Sequence, residues 1–171
     1  MLHLANFISE SINEGEGLRA VFFFSGCPFR CRACHNPEMR NECYGEPFDD
    51  DLQEKFLKKI EDNILLDGIT LCGGDPFYDP KEVLKFVRKY KERFPSHTIW
   101  SYSGYTWERL LWDEDRKALA QELDVLIDGP FVLRQKDLTL KFRGSSNQRV
   151  IDVKPSLEKN EAVIRSGYEN Q

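Results

Sequence analysis

The sequence predicts an α/β protein whose core is an open, curved, mainly parallel sheet, equivalent to part of a (β/α) barrel. Three observations lead there. Short buried-type runs of β-branched and aromatic residues recur along the chain, and amphipathic stretches of helical period alternate with them. Only four or five such runs are present, too few to close an eight-stranded barrel.

Each element has its own signal. "LRAVFFF", Leu18 to Phe24, is a continuous apolar run after a Gly-rich entry and reads as a buried strand. From Asp51 to Leu65, apolar residues at Leu52, Phe56, Ile60 and Ile64 share one face of a helix. "GITLCGGDP" supplies a second strand and a turn, and Asp79 with Pro80 starts a helix toward Phe94 as N-cap and first-turn proline. "HTIWSYSGY" is the third strand, and Thr106 caps a helix over 107–122. "DVLIDGPF" gives the fourth strand and "QRVIDV" the fifth. Helix-strand alternation implies right-handed crossovers, which place functional loops at the carboxyl ends of the strands. One domain is expected, with its core over 18–153 and a polar tail over 154–171 that frays or forms a loose helix.

Composition narrows the function. The 171 residues are 40% hydrophobic and 31% charged, with no apolar run near the roughly 20 residues of a membrane span. An acidic N-terminal stretch lacks the pattern of a secretory signal, so a cytoplasmic location is expected. A net charge of -5 argues against a surface built for nucleic acid, although basic residues thicken between Arg134 and Arg149. In a reducing compartment the five cysteines favour metal binding or catalysis over disulfides.

Cys27, Cys31 and Cys34 fall in one short loop directly behind the first strand, with the spacing C-x3-C-x2-C. A thiolate trio of this kind can wrap an iron-sulfur cube or contribute to a zinc site. Structural zinc wants a fourth protein ligand, for which His35 and Cys43 are the local candidates, and His35 is poorly placed beside its neighbour Cys34. A cube held by three cysteines leaves one iron open, which is useful when a substrate is to occupy it. "GGDP", Gly73 to Pro76, follows the second strand: its glycines allow close backbone approach and Asp75 can face an ammonium group. Cys72 reads as a buried inert thiol, Cys43 as a free cysteine in an acidic loop, and Trp100, Trp107 and Trp112 as packing residues.

The cysteine loop resembles the cluster loop of the radical S-adenosylmethionine enzymes, and "GGDP" is similar to that superfamily's Gly-Gly-Glu-Pro motif. The residue before the last cysteine is usually aromatic there. Here it is Ala33, a small residue common in the branch that activates ribonucleotide reductase, and "CHNPE" also resembles the glycyl-radical activating enzymes. "IWSYSGY", "DVLIDGPF" and "RGSSNQRVIDV" are similar, in order, to segments of the anaerobic class III reductase activases; pyruvate formate-lyase activases share the cluster loop but are longer.

This resemblance implies a fold of the radical S-adenosylmethionine type. It implies a 4Fe-4S cluster on Cys27, Cys31 and Cys34 with one open iron, and S-adenosylmethionine as second cofactor, contacted by Ala33, Cys34, His35, Gly73, Gly74, Asp75, Ser101, Ser103 and Asp128. The implied partners are the catalytic subunit of an anaerobic ribonucleotide reductase and a low-potential electron donor such as flavodoxin, with no nucleic acid and no membrane. "GEGLR", Gly15 to Arg19, resembles the segment that puts an arginine near the cluster side in activating enzymes, although Arg19 can equally be a surface charge. A non-catalytic zinc or iron-sulfur docking module is the alternative from another class.

Overall fold

The run Arg19–Phe24, apolar after its first residue, becomes the third strand across a seven-stranded sheet in the computed structural model, which describes residues 1–170. Its strands are β1 (His3–Ser11), β2 (Arg19–Phe24), β3 (Glu46–Pro47), β4 (Gly68–Gly73), β5 (Thr98–Tyr102), β6 (Val125–Asp128) and β7 (Arg149–Asp152), in the spatial order β3-β1-β2-β4-β5-β6-β7. The central four, β2, β4, β5 and β6, are parallel. Both flanks are antiparallel, so the sheet is mixed. Helices α1 (Asp50–Glu61), α2 (Pro80–Arg93), α3 (Trp107–Leu110), α4 (Glu114–Ala120) and α5 (Val153–Lys159) complete the chain.

The parallel strands are buried on both faces, which is why they are apolar without alternation. α1 turns Phe56, Leu57 and Ile60 inward and α2 turns Val83, Phe86, Val87 and Tyr90 inward. These faces meet β2 in a cluster of rings: Phe22 lies 5.0 Å from Phe86 between centroids, Phe48 lies 4.9 Å from Phe86, and Phe7 stacks on Phe56 at 4.1 Å. Such pairs add about 0.5–1.5 kcal/mol each beyond the area they bury. Asp49 caps α1 by accepting from the Leu52 amide at 2.9 Å, and Asp79 caps α2 with Pro80 at its first position.

Several expectations are corrected. α1 stops at Glu61, and Ile64 and Leu65 are exposed instead of continuing its buried face. The stretch 107–122 forms two short helices, because Thr106 caps the first and Asp113 caps a second, leaving Trp112 at the break and 79% exposed. β7 pairs antiparallel with β6. The intervening segment contains only a 3₁₀ turn, Leu133–Gln135, where a parallel return would need a crossover helix. The tail is not loose: after α5 it runs back along the sheet, Ile164 bridges Ile151, and Tyr168 is buried. β1 and β3 have no counterpart in the sequence expectation. No helix among the described residues is long and apolar enough to cross a membrane.

Arg19 also departs from expectation. It begins β2, at the opposite end of that strand from the cysteine loop, and is 1% exposed. Its guanidinium donates to Thr70 Oγ1, to the carbonyls of Glu16, Ile69 and Thr98, and to Thr98 Oγ1, and its carbon lies 5.6 Å from the Trp100 ring centroid. Burial pushes its pKa down to about 10, so it remains a cation at neutral pH. It knits the amino-terminal ends of β2, β4 and β5 together.

Candidate functional site

At the carboxyl ends of the parallel strands lies a cavity of about 340 Å³, the position that parallel α/β sheets use for ligands. Its first wall is the loop after β2. Gly26 starts that loop with φ +100°, a conformation that favours glycine, and its amide donates to the Met39 carbonyl at 2.7 Å. The loop is thereby closed at its base. Within it the Cys34 amide donates to the Cys31 carbonyl at 3.2 Å across a turn in which Ala33 is left-handed, φ 60°. Arg40 Nη2 also donates to the Cys31 carbonyl, at 3.0 Å. Cys27, Cys31 and Cys34 all line the cavity, and none is in a disulfide. Burial pushes the Cys27 thiol up to about 11, so a metal bound there must displace its proton.

The second wall is the turn after β4. Gly73 and Gly74 are required by close backbone approach. A Cβ on Gly73, φ +117°, would stand 2.2 Å from the Phe24 carbonyl oxygen, and one on Gly74 would stand 2.5 Å from the carbonyl oxygens of Gly26 and Met39. That closeness lets the Gly74 amide donate to Phe24 O and the Asp75 amide to Gly26 O, each at 2.8 Å. The glycine turn and the root of the cysteine loop are one hydrogen-bonded unit.

Asp75 is 2% exposed and lines the cavity. Its Oδ1 accepts from the Phe77 amide at 2.9 Å and its Oδ2 from the Gly104 amide at 2.8 Å, while Ser103 Oγ lies 3.1 and 3.2 Å from the two oxygens. Burial raises its pKa to about 6 against the pull of these donors, so at pH 7 it is mostly a carboxylate. On the third wall, Gln148 accepts from the amides of Gly144 and Ser145 and donates to Gly129 O, clamping the segment that follows β6.

Of the residues named from sequence, Cys27, Cys31, Cys34, His35, Gly73, Gly74, Asp75 and Ser103 share this cavity. Ala33, Ser101 and Asp128 do not line it. Ser101 is fully buried within β5, and Asp128 accepts from the Trp107 amide at 2.8 Å and pairs with Arg149 at 2.5 Å. Cys43 is exposed elsewhere, whereas Cys72 is buried beside the cavity and burial holds its thiol protonated. Sequence reasoning missed Glu14, which reaches the cavity from the segment between β1 and β2, and the aromatic rim of Phe29, Tyr102 and Phe131. "NEGEG" reads as an acidic turn, and nothing local announces that one of its carboxylates turns inward.

The cavity's charged lining is therefore two carboxylates, Glu14 and Asp75, with no Lys or Arg. Among the described residues no three His, Cys, Asp or Glu side chains gather as ligands of a single ion. Three loop thiols, beside a fourth, Cys72, that burial on β4 keeps protonated, suit a multi-iron cluster better than a closed zinc site.

Comparison with known proteins agrees. Residues 13–151 match the family described as a 4Fe-4S single cluster domain. The chain is 36% identical over 151 residues to the anaerobic ribonucleoside-triphosphate reductase-activating protein of Pasteurella multocida, covering 86% of this chain and 95% of that protein. It is 34% identical over 142 residues to the protein of that name from Escherichia coli K12, with 81% and 91% covered. The one from Enterobacteria phage T4 is 34% identical over 141 residues, with 80% and 85% covered. A cysteine-lined cavity at the strand ends, a cluster-domain match over most of the chain and relatives matched almost from end to end together place this chain in the family of anaerobic ribonucleoside-triphosphate reductase-activating proteins.

Proposed function

We propose that this chain is a glycyl-radical activating enzyme of the radical S-adenosylmethionine type, acting on an anaerobic ribonucleotide reductase. Its 4Fe-4S cluster, when bound and given one electron by a low-potential donor such as flavodoxin, supplies reductive cleavage of S-adenosylmethionine to methionine and a 5'-deoxyadenosyl radical, which takes a hydrogen atom from a backbone glycine of the reductase.

The protein's own residues bind, orient and exclude. Cys27, Cys31 and Cys34 would hold the cluster, and its position without a protein ligand would be left to S-adenosylmethionine. Glu14 and Asp75 give the cavity a negative lining that suits a ligand carrying an ammonium and a sulfonium. Asp75 spends its lone pairs on the turns after β4 and β5, so it fixes the wall and contributes field rather than a free acceptor. Cys34 and His35 contact the cofactor from the cysteine loop, and Ser103 and the glycines from the strand ends; Ala33, outside the cavity, shapes the turn between Cys31 and Cys34, while Ser101 and Asp128 brace the strands from outside it. One open partial barrel, a single domain, serves the whole reaction: the parallel strands carry the site, and an open sheet suits a substrate whose folded loop must reach it.

One observation carries this reading: three thiols and a double-glycine turn, distant in sequence, meet on one acid-lined cavity at the strand ends. The test is to reconstitute the cluster anaerobically, reduce it with dithionite and measure 5'-deoxyadenosine, then look for a glycyl doublet by electron paramagnetic resonance after adding the reductase. Cluster-loaded protein that releases no 5'-deoxyadenosine would refute the radical chemistry. A doublet on pyruvate formate-lyase but not on the reductase would refute the partner.

A further inference from the structure

We infer that the loop between β6 and β7, together with the cysteine loop, forms a basic docking rim for an acidic polypeptide segment of the partner. This rests on the reading above, in which a glycine loop of another protein must reach the cavity. Between Gly129 and Arg149 the chain places Arg134, Lys136, Lys141, Arg143 and Arg149 against the single acid Asp137, in a protein of net charge -5. Two of these are spent on the fold: Arg149 pairs with Asp128 and Glu108, and Arg143 is buried against Asn170. Arg134, Lys136 and Lys141 are exposed, as are Arg30 and Arg32 between the cavity-lining cysteines. None of these five forms an ion pair among the described residues.

The two loops adjoin at the mouth, where the His35 and Phe131 rings lie 5.9 Å apart. The rim is held in shape: the Asp137 amide donates to Gly144 O at 3.2 Å and the Ser146 amide to Gln135 O at 2.8 Å. Leu133 and Leu138 stand among the cations, 38% and 86% exposed. Negative charge thus lines the cavity, and unpaired positive charge lies on two of the loops that wall it. Such a rim steers an acidic segment to the opening and offers it apolar anchors, without drawing it into the cofactor's space.

The test uses cluster-loaded protein and the reductase. In the R134E/K136E/K141E variant, the reductase concentration that half-saturates glycyl-radical formation should rise about tenfold or more, and its dependence on salt between about 0.05 and 0.3 M should flatten. Partner-free release of 5'-deoxyadenosine should stay within about twofold of wild type. The R134K/K136R/K141R variant should behave as wild type, which separates charge from shape. Unchanged half-saturation in the charge-reversed variant overturns the inference. So does a wild type that binds an oligonucleotide through these residues while activating the reductase equally well in both forms, which would assign the rim to nucleic acid. If wild type cleaves S-adenosylmethionine but never places a radical on the reductase, the functional reading has failed, and the docking rim falls with it.

Discussion

Asp75 Oδ2 accepts a hydrogen bond from the Gly104 amide at 2.8 Å, joining the turn after β4 to the turn after β5 inside the cavity wall. All of the partners of this carboxylate are donors. An amide in its place would set an NH₂ group against at least one of them. Asp75→Asn should therefore cost about 1–3 kcal/mol, read as a lower urea midpoint at pH 7.

The same residue gives a pH signature. Its folded pKa of about 6 exceeds the roughly 4 of an unfolded aspartate, so the native state binds the proton first. The contribution is stabilising below the unfolded value and is lost as pH rises through about 6. Wild-type stability measured from pH 4 to 6.5 should show this decline, and Asp75→Asn should lack it. Identical slopes in the two proteins would mean that Asp75 is not buried as described.

Gly74→Ala should damage cluster loading rather than cofactor affinity alone, because its methyl would press on the Gly26 and Met39 carbonyls at the base of the cysteine loop. Gly167→Ala is the control: nothing lies within 4 Å of its Cβ, although φ +96° brings some strain. Iron per protein after reconstitution should fall in the first and hold in the second.

Replacing Cys27, Cys31 or Cys34 singly by Ala should abolish stable iron binding and the visible absorption of a cluster. Cys43→Ala should retain both, since Cys43 is exposed away from the cavity. Cys72→Ala should also retain the iron, although Cys72 borders the cavity, because its buried thiol belongs to β4 and not to the loop. Iron retained in Cys31→Ala and lost in Cys43→Ala would reverse the ligand assignment.

Arg165 pairs with Glu16 at 2.9 Å and Asp152 at 2.7 Å, and holds Glu16 down to about 2. Both ends of the Glu16 pair are partly exposed, so Arg165→Ala should cost only about 1 kcal/mol. Deleting residues 161–171 should cost more, through loss of the Ile164 bridge and buried Tyr168, and thermal melting would rank the two.

What was legible in the sequence followed local physics. β2, β4 and α2 announced themselves by continuous apolar runs, by an Asp-Pro cap and by a face of Val83, Val87 and Tyr90. The break at Trp112 was also written locally, in two capping residues, Thr106 and Asp113, of which the expected helix over 107–122 used only the first. β1 was not legible: its burial pattern is irregular, with register shifts against β2, and it gains strand form by pairing with β2 and β3. The antiparallel return of β7 could have been read from the missing helix between Gly129 and Gln148. Of the site, the thiols and the glycine turn were legible as motifs. The inward carboxylate of Glu14 and the outward bracing by Asp128 depend on how distant segments meet, which no spacing encodes.

The hydrogen bonds from Gly74 to Phe24 and from Asp75 to Gly26 have a kinetic consequence. Their partners are separated in sequence by all of α1, so the base of the cysteine loop takes shape only after β2 and β4 have paired across that intervening chain. Assembly of the polypeptide then precedes capture of iron, the reverse of a zinc finger, where the metal drives the folding. Apoprotein should accordingly show a cooperative unfolding transition of its own, and the metal centre is a late guest in a finished frame.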